Sequence, residues 1–163
     1  MSDPIPEPAR FLWPHQRAQL EVLFAAILPG TDDSPGATDA GAAEMVDRLL
    51  ATDPPSYYEV PAWRKLYVEG LAALDAACRA RNGAPLAEAS PAQVTALLGD
   101  LAAGTVAGMP AGVDQRRLFG TLRAHCIEGC FADPRWGGNR EQVMWRWYGY
   151  LGRSQPFRRV GEP

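Results

Sequence analysis

The chain has 163 residues, of which 47% are hydrophobic and 21% charged, and its formal net charge at pH 7 is -3. This length predicts a single domain whose core needs no disulfide or metal to stabilise it, and the composition excludes an intrinsically disordered chain. The nearly balanced charge makes neither nucleic acid nor an anionic membrane an expected partner.

The N-terminal residues carry no recognisable export or membrane signal. Asp3, Glu7 and several prolines occupy the stretch where a secretory peptide needs a basic and then an apolar region. The longest apolar run, residues 22–28, is too short to cross a bilayer. An odd number of cysteines gives no disulfide framework and suits a reducing compartment. We therefore expect a cytoplasmic protein that makes no membrane contact, with residues 1–12 as an extended arm.

Apolar residues at helical spacing predict the first two helices. The first begins with Pro14 and ends near residues 28–30, and an acidic loop over residues 31–39 follows it. Thr38 or Asp39 is expected to cap the second helix, which the prolines at 54 and 55 end. The expected inner faces consist of Leu20, Leu23, Phe24 and Ile27 in the first helix, and Met45, Val46, Leu49 and Leu50 in the second.

Three further helices have clear boundary signals. The third covers about residues 62–81, with an inner face through Leu71 and Leu74, and ends at an Asn-Gly pair. The fourth begins at "SPAQ", in which Ser90 caps, proline takes the first position and Gln93 reciprocates. The fifth runs from about residue 114 to 130.

The segment "FADPRWGGNREQVMWRWYGYLG", residues 131–152, predicts a turn followed by a last helix. Asp133-Pro134 favours a turn, and Gly137-Gly138 permits a sharp reversal. Asn139 is expected to cap a helix over about residues 140–150, with Gln142 completing a capping box, and residues 153–163 form a tail. No stretch alternates with a two-residue period. The prediction is one all-α domain, an irregular bundle of about six helices joined by long proline- and glycine-rich connections.

The last helix is apolar nearly all round, since Arg146 is its only charge between residues 143 and 150. Such a helix must be buried on all sides, and a small bundle has little room to surround its terminal helix. We therefore expect its tryptophans and tyrosines to face another protein, because exposed aromatic area marks interaction sites. A wholly internal core helix and a ligand pocket are the alternatives.

Histidine and cysteine provide the candidates for chemistry, and all of them are weak. Cys126 and Cys130 lie one helical turn apart, but no second cluster completes a tetrahedral metal site. We expect these thiols and Cys78 to be free and buried, an interchain disulfide being the alternative. His15 is expected at the surface, and His125 with Glu128 is a possible base with its orienting carboxylate. Gly137-Gly138 lacks the strand of a phosphate-binding loop. We expect no catalytic, cofactor or metal site in this chain.

Residues 128–152 resemble the C-terminal signature of the gluconate 2-dehydrogenase subunit 3 family. The acidic "DDSPGA" loop at residues 32–37 and the "EMVDRLL" helix at 44–50 are similar to that family as well. Trp136 stands where tyrosine is common, Leu151 stands where proline is common, and no twin-arginine leader precedes Arg10. The matching signature positions are Asp133-Pro134, Gly137-Gly138-Asn139-Arg140, Trp145 and Gly149-Tyr150.

The resemblance implies a non-catalytic small subunit that binds and stabilises a large FAD-dependent subunit of the glucose-methanol-choline (GMC) oxidoreductase type. The large subunit would hold the FAD and the catalytic residues, and would oxidise a sugar, glycoside, sugar acid or polyol. A transient assembly chaperone and a freestanding helical enzyme using His125 and Glu128 remain as alternatives. The expected contact residues for the partner are Asp133, Arg135, Trp136, Gly137, Gly138, Asn139, Arg140, Trp145, Arg146, Tyr148 and Tyr150.

Overall fold

The computed structural model describes residues 9–53 and 56–150, which fold as an all-α structure, as predicted. Its helices are α1 (Pro14–Ile27), α2 (Ala37–Ala40), α3 (Ala42–Ala51), α4 (Val60–Asn82), α5 (Pro91–Ala103), α6 (Gln115–Phe131) and α7 (Val143–Tyr148). Short 3-10 turns cover Leu86–Glu88, Pro134–Trp136 and Arg140–Gln142. Within the described residues the one β feature is an isolated bridge between Thr31 and Ser34.

Boundary signals that act within a few residues place α4, α5 and α6 as expected. Ser90 Oγ accepts the N–H of Gln93 at 3.3 Å, and Gln93 Oε1 accepts the N–H of Ser90 at 2.9 Å. These two bonds confirm the predicted capping box. Gly83 ends α4 in a left-handed conformation with φ 74°. Asp114 caps α6 by accepting the N–H of Arg117 at 3.0 Å.

The predicted second helix is wrong in one respect, because the structure divides it into α2 and α3 at Gly41. Gly41 has φ 66°, a left-handed conformation that glycine adopts without steric cost. Thr38 and Asp39 therefore lie inside α2 rather than at a cap. The Asp39 carboxylate instead accepts the N–H of Gly36 at 2.8 Å. The Arg140 side chain lies directly over Gly41, where a Cβ would approach its guanidinium to 2.7 Å.

Helix α6 lies at the centre of the bundle and contacts each of the other α-helices of the described chain. Two glycines allow close packing around it. Gly129 lies against the backbone of Ala42 in α3, and Gly70 in α4 leaves room for Leu118. The fully buried core includes Leu20, Leu23, Phe24, Tyr67, Leu71, Leu74, Leu118, Leu122, Cys126 and Cys130.

The prediction of a last helix over residues 140–150 is wrong in its length. Helix α7 has six residues, Val143–Tyr148, and a 3-10 turn precedes it. The capping box between Asn139 and Gln142 is absent, because both residues have left-handed φ values, 43° and 60°. The tail at residues 153–163 and most of the arm at residues 1–12 lie outside the described residues, so the single-domain division remains a prediction. No described helix has the length and apolarity that a membrane span requires.

Candidate protein-interaction surface

We define the C-terminal segment as residues 131–150, which contain all eleven predicted contact residues. Their exposure differs within the segment. Arg135, Trp136, Arg140, Arg146, Tyr148 and Tyr150 are exposed, whereas Asp133, Gly137 and Trp145 are half-buried. Gly138 and Asn139 are buried within the chain. The segment therefore contains an outer set of side chains and an inner set that holds it on the bundle.

Asn139 is the innermost residue of the segment and is fully buried. Its backbone N–H donates to the carbonyl of Gly129 at 2.8 Å, and its side-chain amide donates to the carbonyl of Ala132 at 3.1 Å. Its Oδ1 accepts the N–H of Met144 at 3.0 Å. One asparagine thus satisfies backbone groups at the end of α6 and at the start of α7, which a buried site requires.

The two adjacent glycines permit close approach to the bundle. A Cβ on Gly138 would collide with the carbonyl oxygen of Gly129. Gly137 has φ 99°, and a Cβ there would approach the Arg48 side chain to 2.8 Å. Gly137, Gly138 and Asn139 therefore shape the surface, and their contact with a partner stays a prediction.

A cluster of charges centred on Glu44 of α3 lies beside this surface, since its Arg48 packs against Gly137, and the sequence alone did not predict it. Glu44 binds Arg48 at 2.6 Å and Arg17 at 2.8 Å. Burial alone raises the pKa of Glu44, but the hydrogen bonds from Arg48 and Arg17 outweigh it and lower the pKa below its usual value. The spacing of Glu44, Asp47 and Arg48 on one helix was the sequence feature that could have predicted this cluster.

Asp47 extends the cluster to the residues before α1. Its carboxylate is fully buried and accepts the backbone N–H groups of Phe11 at 2.8 Å and Leu12 at 2.7 Å. The guanidinium of Arg10 lies 3.6 Å from the same carboxylate. Residues 10–12 of the predicted arm are therefore fixed on α3.

The tryptophan rings of α7 are hydrogen-bonded to the rest of the chain, and yet much of the aromatic area of this helix is exposed to solvent. Trp145 donates its indole N–H to the carbonyl of Phe131 at 2.9 Å, and Trp147 donates its own to the carbonyl of Asp33 at 2.8 Å. The exposed fractions are nevertheless 53% for Trp147 and 72% for Tyr148. Met144 is the one fully buried residue of α7. The alternative of a wholly internal core helix is therefore wrong for the described chain.

Two more exposed aromatic residues extend the same segment. Trp136 is 53% exposed, and the Arg135 guanidinium lies 5.0 Å from the centre of its ring. Tyr150 is 52% exposed and packs edge-on against Trp145, with ring centres 5.0 Å apart. We define the aromatic surface as Trp136, Trp145, Trp147, Tyr148 and Tyr150.

The family model described as gluconate 2-dehydrogenase subunit 3 matches residues 14–152. The chain belongs to the gluconate 2-dehydrogenase subunit 3 family. The match confirms the resemblance and covers all seven helices and the whole C-terminal segment. Membership indicates an accessory subunit that associates with a dehydrogenase catalytic subunit. No curated protein and no solved structure matches the chain.

In this family member the candidate base His125 is a packed core residue. The ring is 4% exposed, and its Nδ1 lies 3.0 Å from the hydroxyl of Tyr67. Trp63 packs edge-on against it, with ring centres 4.7 Å apart. Burial lowers the pKa of His125 to about 4, so the ring is neutral at pH 7. Glu128 lies at the exposed side of α6, and its pKa is raised by partial burial and by the nearby Glu59.

The three cysteines are free and buried, as predicted. Cys126 lies 3.8 Å from the carbonyl of Phe24, and the neighbouring Cys130 together with burial raises the pKa of its thiol. The hydrogen bond with Cys126 lowers the pKa of Cys130, so burial rather than a raised pKa keeps the three thiols from reagents in the folded chain. Among the residues that the structure describes, no group of three or more histidine, cysteine or acidic side chains is placed to hold a metal ion.

Two shallow cavities are smaller than an ordinary ligand site. One, of 210 Å³, lies between Arg17, Glu44 and Arg140, and the other, of 280 Å³, is lined mostly by apolar residues including Ile27 and Phe119. Pockets for small molecules usually exceed about 300 Å³. Neither cavity supports the alternative of a ligand pocket built by the C-terminal segment.

Proposed function

We propose that this chain is the non-catalytic small subunit of a dehydrogenase and that it binds its large subunit through the aromatic surface. The large subunit in this proposal is FAD-dependent and of the GMC type, and it oxidises a sugar, glycoside, sugar acid or polyol. The FAD and the catalytic residues belong to that chain. The small subunit stabilises its fold and remains bound to it.

The observation that carries the proposal is the arrangement of the rings in α7. In the free chain, the indole N–H groups of Trp145 and Trp147 bond to backbone carbonyls of the same chain, so the exposed ring faces offer mainly apolar area. Exposed aromatic side chains grouped in one segment are typical of protein interaction sites. Tryptophan, tyrosine and arginine are the residues most enriched at binding hot spots, and Arg146 and Arg135 flank the rings.

Truncation of two exposed rings tests the location of the interface. Tyr148→Ala and Trp136→Ala should each weaken binding of the large subunit by about 2 kcal/mol, close to thirtyfold in Kd. Tyr58→Ala is the matched control, because Tyr58 is 88% exposed and lies before α4. Binding is measured by titration with the flavin-containing chain that co-purifies with the tagged wild-type subunit. Equal affinity for all three variants would contradict the assignment.

Co-expression tests the stabilising role. The large chain should be less soluble and less active when made without the small subunit. Size-exclusion chromatography then separates a permanent subunit, which co-elutes with the mature flavoprotein, from a transient chaperone, which does not. Equal solubility and equal activity of the large chain made alone would refute the proposal.

The alternative of a freestanding enzyme gains no support from the position of His125. The imidazole lies in the core between Trp63 and Tyr67, with its Nδ1 occupied by the tyrosine hydroxyl. A general base has to reach the proton that it removes. Turnover by the purified chain alone, abolished by His125→Ala, would restore that alternative.

A further inference from the structure

The turn before α7 has a backbone conformation that its residues disfavour. Asn139, Glu141 and Gln142 have φ values of 43°, 53° and 60°. Asparagine adopts the left-handed region readily, but glutamate and glutamine do so at a cost, because their Cβ atoms crowd the following carbonyl. Each of the two biases the equilibrium against this turn by about tenfold.

The same residues form a good start for a right-handed helix. Asparagine is a preferred N-cap, and a glutamine at the third helical position completes a capping box. Glu141 and Gln142 are also strong helix formers, and an acid in the first turn interacts favourably with the helix dipole. The local preference of residues 139–142 and their conformation in the free chain therefore disagree.

Contacts outside the turn hold it in the left-handed conformation. Met144 is buried in the core, and Asn139 is bound to the carbonyls at the end of α6. The indole N–H groups of Trp145 and Trp147 bind the carbonyls of Phe131 and Asp33. These contacts fix both ends of residues 140–142, and α7 is too short to be stable by itself.

We propose that binding of the large subunit converts residues 140–142 into the first turn of a longer α7 capped by Asn139. This inference rests on the proposed function, because the aromatic surface is the site at which the partner acts. A partner that takes up the rings of Trp145 and Trp147 replaces the two indole bonds that hold α7 in place. The strain at Glu141 and Gln142 is then released, and the free energy of that release contributes to binding.

Glycine and alanine at the same position separate a backbone effect from a side-chain effect. Glu141→Gly and Glu141→Ala remove the same side chain, including its 3.9 Å ion pair with Arg146. Glycine adopts the left-handed turn without cost but weakens a helix. Alanine is strained in the left-handed turn but stabilises a helix. In the free chain, the glycine variant should therefore melt about 4 °C above the alanine variant. The same order is expected for Gln142→Gly and Gln142→Ala.

The complex gives the decisive comparison. If the turn becomes helical, the glycine variant should bind the co-purified flavin-containing chain about fiftyfold more weakly than the alanine variant. Ala124→Gly is the control, because Ala124 is exposed in α6 and its loss of helix stability should leave affinity unchanged.

Three results would overturn the inference, and they differ. Wild-type chain that binds no flavin-containing subunit refutes the proposed function and this inference together. Normal wild-type binding with equal affinities of the glycine and alanine variants shows that the turn stays left-handed in the complex, and it refutes this inference alone. Equal melting temperatures of the free variants would show that the turn carries no strain.

Discussion

Lowering the pH from 7 to 5 should destabilise the folded chain through one buried imidazole, that of His125. Burial lowers its pKa from 6.5 to about 4, because the charged form loses its hydration between Trp63 and Tyr67. Between these two pKa values the unfolded chain binds a proton that the folded chain does not. The free energy of unfolding therefore falls as the pH falls.

The magnitude follows from the two pKa values. A shift of this size corresponds to about 3 kcal/mol between the limits of high and low pH, at about 1.4 kcal/mol per unit. At pH 5 the unfolded imidazole is almost fully charged and the folded one is still mostly neutral. The loss relative to pH 7 should then be about 2 kcal/mol.

Urea unfolding at pH 7, 6 and 5, followed by tryptophan fluorescence, measures this loss. His125→Asn is the comparison, because an amide keeps a polar partner for the Tyr67 hydroxyl and does not titrate. The smaller asparagine side chain lowers stability at every pH. The test is therefore how steeply the free energy of unfolding changes with pH in the wild type and in His125→Asn. The pKa of Glu44 and of Asp75 is lowered in the folded state, which adds losses mainly below pH 5. The raised pKa of Glu128 acts in the opposite sense.

All three carboxylates are present in both proteins, so their effects cancel in the comparison. The wild type should lose about 2 kcal/mol more than His125→Asn between pH 7 and pH 5. If the free energy of unfolding changed equally with pH in the two proteins, the reasoning would be refuted. The folded chain would then accommodate the charged imidazole without cost.

Other substitutions test the packing of the C-terminal segment and of α3. Gly138→Ala should lose about 2–3 kcal/mol in urea unfolding, since its Cβ would collide with the carbonyl of Gly129, whereas Gly99→Ala, with open space in α5, should gain about 1 kcal/mol. If Gly138→Ala lost less stability than alanine substitutions at neighbouring surface positions, the close approach of Gly138 to Gly129 would be contradicted. Asp47→Ala should lose about 3 kcal/mol by thermal unfolding, because the buried amide of Leu12 and the half-buried amide of Phe11 lose their acceptor, and Asp47→Asn should lose less. The three buried cysteines should react with a thiol reagent only after unfolding, so rapid labelling of the native chain would contradict their burial.

Signals that act over a few residues predicted most of the bundle. The capping box at Ser90 and the left-handed glycine after Asn82 are formed by neighbours in the chain, so they can be read from the sequence alone. The helical spacing of apolar residues likewise placed most of the inner faces of α1, α3 and α4. The family resemblance also came from local motifs, above all from residues 128–152.

The sequence predicted which segment forms the candidate surface, but not the backbone conformation of that segment or its contacts with the bundle. Asn139 was expected to cap a helix, because its sequence neighbours favour one. In the fold it is bound by Gly129 and Ala132 at the end of α6, and these bonds outweigh the local preference. The sequence also did not predict the division of the second helix at Gly41, whose left-handed conformation with φ 66° ends α2.

By itself the sequence determined an all-α chain, the ends of its longer helices and an excess of aromatic residues near its C-terminus, because propensity, capping and periodicity are local properties. Only the tertiary structure decided which rings stay exposed, that Asn139, Glu141 and Gln142 adopt left-handed conformations, and that Asp47 binds the backbone 35 and 36 positions earlier. Hydrogen bonds to distant backbone groups and close contacts between helices decide such features, and they arise only when the segments meet.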